Sequence, residues 1–204
     1  MKEIYFVTHN KGKIASASRQ LEGVNFKIFE YELDEPRSDD IKYISKYKVM
    51  ESYKLVNKPC ISLDCGFWID ELGGFPKAYV NFALDTVGID GILKLMEKKE
   101  NRKCRFTECL SYYDGNELYQ FMGKHEGTLS EEILGNDTKN KWSDLWYIFK
   151  PFGYDITLAQ MTDEQRTKRI KYEDVDAMRE FAKWYKNDII IDNNFCNNIK
   201  IRVF

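Results

Sequence analysis

No stretch of this chain is apolar for long enough to cross a bilayer, and its first residues lack the charged-then-apolar pattern of a secretory leader. A cytoplasmic protein without a membrane partner is expected. No charge of one sign dominates either. The 31 Lys and Arg face 33 Asp and Glu, for a formal net charge of -2. General binders of nucleic acid rely on a basic surface, so that class is disfavoured. Zinc-knuckle spacing is missing as well. Cys60 and Cys65 share their spacing with Cys104 and Cys109, and on a strand that spacing sends the two thiols to opposite faces. An odd total of 5 cysteines argues against a secreted disulfide framework and for reduced, structural thiols. There is no internal repeat, no low-complexity block and no P-loop, whose Gly-Lys-Ser/Thr ending is absent.

What is present concentrates in Ser62 to Pro76. An apolar strand, Cys60 to Leu63, runs into Asp64, followed by Gly66, a second apolar run and Gly73-Gly74-Phe75-Pro76. A carboxylate at a strand end suits metal or general-base work, because the sheet fixes its position while its oxygens face a cleft. An ordinary acidic hairpin fits the same residues. The N-terminus adds a second feature. Glu3 to Val7 reads as a strand, Thr8-His9-Asn10-Lys11-Gly12-Lys13 follows, and Ile14, Ala17 and Leu21 recur at helical spacing. Asn10 is a candidate N-cap. A Lys-bearing loop between a strand and a helix N-terminus favours anions, through free N–H groups, the helix dipole and the Lys13 charge.

The remaining pattern alternates. Strands are expected at Glu3–Thr8, Asn25–Tyr31 and Pro59–Asp64, the last continuing as a hairpin to Asp70. Helices are expected over Lys11–Gln20, Ser38–Lys54 and Ala78–Asp85, and over Gly91–Glu97 with Asp90 as N-cap. Asp114-Gly115-Asn116 signals a hairpin between Cys104–Tyr113 and Glu117–Gly123. Gly127–Ile133 and Tyr147–Phe149 read as further strands. Val175, Met178, Phe181, Ala182 and Tyr185 form one apolar helix face. Ile189–Ile191 and Ile199–Phe204 look like two short strands of a C-terminal extension. At 204 residues the chain can build one sizeable core or two lobes around a cleft.

Together these segments resemble the inosine triphosphate pyrophosphatase (Ham1-like) family. The matching residues are Thr8, Asn10 and Lys13; Asp64-Cys65-Gly66-Phe67; Glu71-Leu72-Gly73-Gly74-Phe75-Pro76; Gly123 to Ser130; Phe149-Lys150-Pro151; and Thr157 to Met161. The resemblance spans roughly residues 2–185. It implies an α/β fold, elongated and two-lobed, with a long mixed β-sheet, flanking helices and a central cleft. Residues 1–204 then form a single domain, with 186–204 an extension. It also implies a homodimer that hydrolyses nucleoside triphosphates, especially non-standard purine ones, to the monophosphate and pyrophosphate. Such chemistry calls for Mg2+ on the phosphate oxygens and an activated water at the α-phosphorus. By the same resemblance Asp64 is the catalytic carboxylate and, with Glu35, a metal ligand. Thr8, Asn10, Lys13 and Lys46 are the expected phosphate-binding residues. Asp39 and Asp40 compete with Glu35, although Ser38-Asp39-Asp40 also reads as a helix start.

The departures from the family pattern concentrate on base recognition, with others at His9, Leu63, Lys77 and Gln160. Ser143 to Tyr147 stands where the family has Phe-Gly-Tyr/Trp-Asp-Pro. Arg169 to Asp174 stands near the family's Ser-His-Arg, whose His and Arg read the purine six-position oxygen. Lys168, Arg169 and Lys171 are candidate substitutes; Trp142, Trp146, Tyr147 and Tyr172 are candidate stacking residues. Purine selectivity is therefore expected to be lost or changed. The alternative readings are a nucleotide-binding relative with weak or no turnover, and another phosphate enzyme on the same fold.

Overall fold

The computed structural model describes residues 3–136, 141–172 and 175–198. Its spine is one mixed sheet of seven strands. The strands are β1 (Ile4–Val7), β2 (Phe26–Phe29), β3 (Cys60–Ile69), β4 (Pro76–Lys77), β5 (Lys103–Tyr113), β6 (Leu118–Leu129) and β7 (Phe149–Pro151). The order is β2-β1-β3-β5-β6-β7, with β4 pairing β3. β1 is parallel to β2 and β3, whereas β3, β5 and β6 form long antiparallel ladders. The helices are α1 (Lys11–Gln20), α2 (Ile41–Val56), α3 (Val80–Thr86), α4 (Gly88–Leu95), α5 (Asp163–Tyr172) and α6 (Ala177–Asn198).

Alternation along the central ladders gives the sheet two different faces. One carries Ile61, Leu63, Cys65, Phe67 and Ile69 of β3 against Phe106, Glu108 and Leu110 of β5. Its two ends seed separate cores. Ile4, Phe6, Leu21, Ile61, Leu110 and Phe181 pack at one end, with α1 and α6 as the cover. Phe67, Ile92, Phe106, Leu129, Phe149 and Leu158 pack at the other. α2 lies on the opposite face, held close by small residues. Ser45 donates to Ser111 Oγ at 2.8 Å, and Ser62 donates to the Ser45 carbonyl at 2.8 Å.

β3 is the strand that positions the site, and it does not end at Asp64. It continues to Ile69, because β5 pairs with every residue from Cys60 to Ile69. What stops near Asp64 is the strand on the other edge. β1 pairs only with Cys60 and Ile61, and β4 takes over at Phe67 and Trp68. Among the described residues no strand pairs with Ser62 to Gly66 on that edge. Gly66 permits the close approach at its far end: a Cβ there would lie 2.6 Å from the Trp68 ring and 2.7 Å from the Lys77 carbonyl.

Other expectations shift. Gly127–Leu129 is the end of β6 rather than a new strand, and Ser130–Ile133 leaves the sheet. The expected Tyr147–Phe149 strand is a 3-10 turn, Asp144–Tyr147, followed by β7. Asp90 sits in the first turn of α4 and does not cap it. α5, a helix of charged residues with a weak apolar stripe, went unseen in the sequence. Ile189–Ile191 lies within α6, not in a strand. Its β-branched run favours a strand locally, but no Gly or Pro interrupts the helix between Ala177 and Asn198. Extending a helix that has already formed costs far less than nucleating a new element. Residues 199–204, the second expected tail strand, lie outside the described residues.

Candidate active site

The cleft opens where β3 lacks a strand neighbour, and it wraps round that free edge. Asn10, Lys13, Glu35 and Asp64 line one part of it; Gln20, Glu108, His125, Arg169 and Asp176 line another. Trp142 and Trp146 also line it. The strand period explains the division. Asp64 points to the α2 side of the sheet, and its neighbour Cys65, opposite Glu108, points to the other.

On the α2 side the polar groups converge. Lys48 Nζ donates to Asp64 Oδ1 at 3.0 Å and to Glu35 Oε1 at 2.7 Å. Burial works against the Lys48 charge, but the two carboxylates outweigh it and hold its pKa above the ordinary lysine value. Burial likewise works against the Glu35 charge, and the Lys48 ammonium overrides it and keeps Glu35 below the usual carboxylate range. Asp64 is buried and its Oδ2 accepts no hydrogen bond among the described residues. Lys13 reaches the free edge of β3 and donates to the Leu63 carbonyl at 2.7 Å. Burial lowers its pKa, opposed by the nearby Asp64 charge.

Asn10 caps α1, its side chain accepting from Lys13 N at 3.0 Å, and lines the cleft. Thr8 accepts from Asn10 N at 3.2 Å and does not line it. Lys46 is exposed on α2 and is not at the cleft. The lysine that faces Asp64 is Lys48. The buried face of α2 is Ile41, Ile44, Ser45, Val49 and Ser52. Lys48 follows Ile44 by four residues and borders that face, while Lys46 falls outside it. That stripe was the signal in the sequence that distinguishes the two. Asp39 pairs instead with Lys77 at 2.6 Å, and Asp40 caps α2.

The second wall was not anticipated, apart from Arg169. Glu108 Oε1 lies 3.0 Å from His125 Nε2, and both side chains are buried. Burial opposes the Glu108 charge, but His125, the Ala177 N–H and Arg169 outweigh it and keep the carboxyl below its usual range. Asp176 accepts from Arg179 N at 2.9 Å and from Gln20 Nε2 at 2.8 Å. Glu108, His125 and Asp176 bring three potential ligand atoms within 4.8 Å of one another. The sequence signal was cross-strand register: Glu108 is the partner of Cys65, and His125 that of Phe106.

Asp176 provides a stability test. Burial, with the Glu108 charge second, pushes its pKa from 3.8 to about 6. The native state therefore binds this proton more tightly than the unfolded chain does. Stability falls as pH rises from about 4 to about 6, and the full loss persists above that. Asp176→Asn keeps a competent helix cap. It is expected to leave stability unchanged near pH 4 and raise it by about 2–3 kcal/mol at pH 8. Urea unfolding at the two pH values checks this, and an equal effect at both would show that Asp176 is not held protonated by the fold.

Charged groups thus gather around a free strand edge of an α/β sheet, with a buried polar wall behind it. Residues 4–184 match the Ham1 family profile, and the chain belongs to that family. It is 32% identical over 186 residues to the dITP/XTP pyrophosphatase of Thermococcus kodakarensis, covering 90% of this chain and 97% of that one. It is 33% identical over 192 residues to the dITP/XTP pyrophosphatase of Methanopyrus kandleri, covering 92% and 98%. The Staphylococcus aureus Ham1 protein has a similar fold, with a TM-score of 0.72 at 20% identity over 92% of this chain and all of that one.

Proposed function

We propose that this protein is a nucleoside triphosphate diphosphatase that hydrolyses purine nucleoside triphosphates, deaminated ones among them, to the monophosphate and pyrophosphate. The observation that carries this reading is the convergence of Asp64 and Glu35 on Lys48 at the free edge of β3. Family membership and relatives named dITP/XTP pyrophosphatase support it.

The donor set fits a hard divalent cation such as Mg2+. Two carboxylates share one ammonium, and the buried Asp64 Oδ2 has no hydrogen-bond donor. Asp64 and Glu35 would hold the ion, which when bound neutralises charge on the phosphate oxygens. Asp64 also orients the attacking water, since β3 fixes its carboxylate beside the cleft. Lys48 balances the two acids and holds their carboxylates in place. Lys13, with the N-terminus of α1, holds the pyrophosphate that leaves.

Incubation with Mg2+ and dITP, XTP or ATP, separating pyrophosphate from orthophosphate, is expected to yield pyrophosphate and monophosphate. Orthophosphate alone, or binding without turnover, would overturn the proposal; the latter is the alternative of an inactive relative. Lys13→Ala is expected to weaken triphosphate binding about tenfold or more while changing nucleoside binding little, because only the phosphate tail loses a charge partner. Calorimetry with both ligands checks it, and equal losses would remove the phosphate role. The resemblance also implies a cytoplasmic homodimer. Among the described residues no helix is long and apolar enough to cross a membrane.

A further inference from the structure

The chain between β2 and α2, Glu30 to Asp40, contains no helix or strand. Its course is nonetheless set, because ion pairs from three different elements meet it. Near its start Glu32 Oε1 lies 3.9 Å from His9 Nε2, in the loop after β1. Midway Glu35 accepts from Lys48 of α2 at 2.7 Å. Near its end Asp39 accepts from Lys77 of β4 at 2.6 Å. The segment leaves the outer strand β2, passes the end of β1 and arrives at the gap beside β3. That gap is bounded by β1 and β4, and the Asp39–Lys77 pair ties the segment to its far side.

The backbone at Lys77 argues against a lysine. Its φ is +57°, in the left-handed region that favours glycine. Packing imposes this conformation. Lys77 N donates to the Gly74 carbonyl at 3.0 Å, and the residue pairs with Phe67. Its own carbonyl comes so near Gly66 that a Cβ there would lie 2.7 Å away. A side chain in such a conformation costs stability that glycine would not. Lys98 shares the conformation, so the backbone by itself marks nothing. Burial does not explain the lysine either, since Lys77 and Asp39 are both about half exposed. What sets Lys77 apart is the acid that its ammonium holds, next to Ala78 in the cleft lining.

We propose that Lys77 is a positioning residue, whose pair with Asp39 straps the Glu30–Asp40 segment across the gap and so keeps Glu35 beside Asp64. The proposal rests on the diphosphatase reading for what Glu35 does there, and goes beyond it in naming the residue that holds Glu35 in place. Lys48 sets the distance between the two acids but not the path of the backbone that carries Glu35, because its ammonium ends a flexible stem. An exposed ion pair adds little to global stability. Here it acts on a segment with no helix or strand of its own, where a small free energy changes the open fraction directly.

Arg37 is the one trypsin site in the segment and reports its opening without metal or nucleotide. In the metal-free full-length protein, cleavage after Arg37 is expected to be about three- to fivefold faster in Lys77→Gly than in the wild type, the size of effect an exposed ion pair reaches. The thermal midpoint is expected to be no lower, because glycine relieves the left-handed backbone. Asp39→Asn is expected to give the same acceleration, and the double variant no more than either single. The half-saturating Mg2+ concentration for turnover is expected to rise by a similar factor, with kcat falling less. If Lys77→Gly fails to fold, Asp39→Asn alone decides. Unchanged cleavage in Asp39→Asn would overturn the proposal, as would accelerations that multiply in the double variant, or faster cleavage beside an unaltered Mg2+ dependence. Faster cleavage in a protein that turns over no triphosphate would sustain the strap and defeat the diphosphatase reading instead.

Discussion

Asp64→Asn is expected to lower Mg2+-dependent turnover by about a hundred- to ten-thousandfold while leaving the fold intact. Asparagine keeps the shape of the side chain on β3, and Lys48 retains its 2.7 Å partner Glu35. On the proposed function it removes the negative charge that would hold a divalent ion and the acceptor that would orient the attacking water. Both losses fall on the one carboxylate that the cleft buries at the free edge of β3. Steady-state kinetics beside a thermal melt separates the two effects. Turnover within a few-fold of wild type would make Asp64 a partner of Lys48 and nothing more. A melt shifted by many degrees would show that the pair holds the fold rather than the reaction.

The second large effect concerns stability. His125→Ala is expected to destabilise the protein by about 3–5 kcal/mol, because it leaves the Glu108 carboxylate buried without its imidazole partner at 3.0 Å. Both side chains are about 95% inaccessible, so water does not replace the lost contact. Removing the charge as well reverses part of the cost. The double variant Glu108→Gln with His125→Ala is expected to be more stable than His125→Ala alone, a non-additivity of the kind that contacting groups show. Urea midpoints for the singles and the double complete the cycle. Strict additivity would mean that the two residues contribute separately and that the geometry overstates their coupling.

The two sites differ in how far they could be read without coordinates. The Lys-bearing loop, the Asn10 cap and the acid at Asp64 are local. Each depends on a few consecutive residues and a single change of period, so sequence reveals them. The α/β alternation and the hairpin at Asp114-Gly115-Asn116 are legible for the same reason. Lys48 was legible in principle, from the buried stripe on α2, but the choice of Lys46 missed it.

The sequence by itself determined the order of elements from β1 to the β5–β6 hairpin, the family and the carboxylate on β3, because short-range spacing and turn chemistry specify them. Tertiary structure decided the rest. Only strand pairing shows that β3 passes through Asp64 and that the cleft is a gap between β1 and β4 along one edge. Only register brings Glu108 opposite Cys65 and sets it on the face away from Asp64. Gln20, Glu108, His125 and Arg169 come from four elements and Asp176 from the residue just before α6, spread over more than 150 residues, and no spacing rule links them. A wall of that kind exists only when α1, α5 and α6 close over the sheet. Long-range packing buries its charges together, and nothing in their local sequence does.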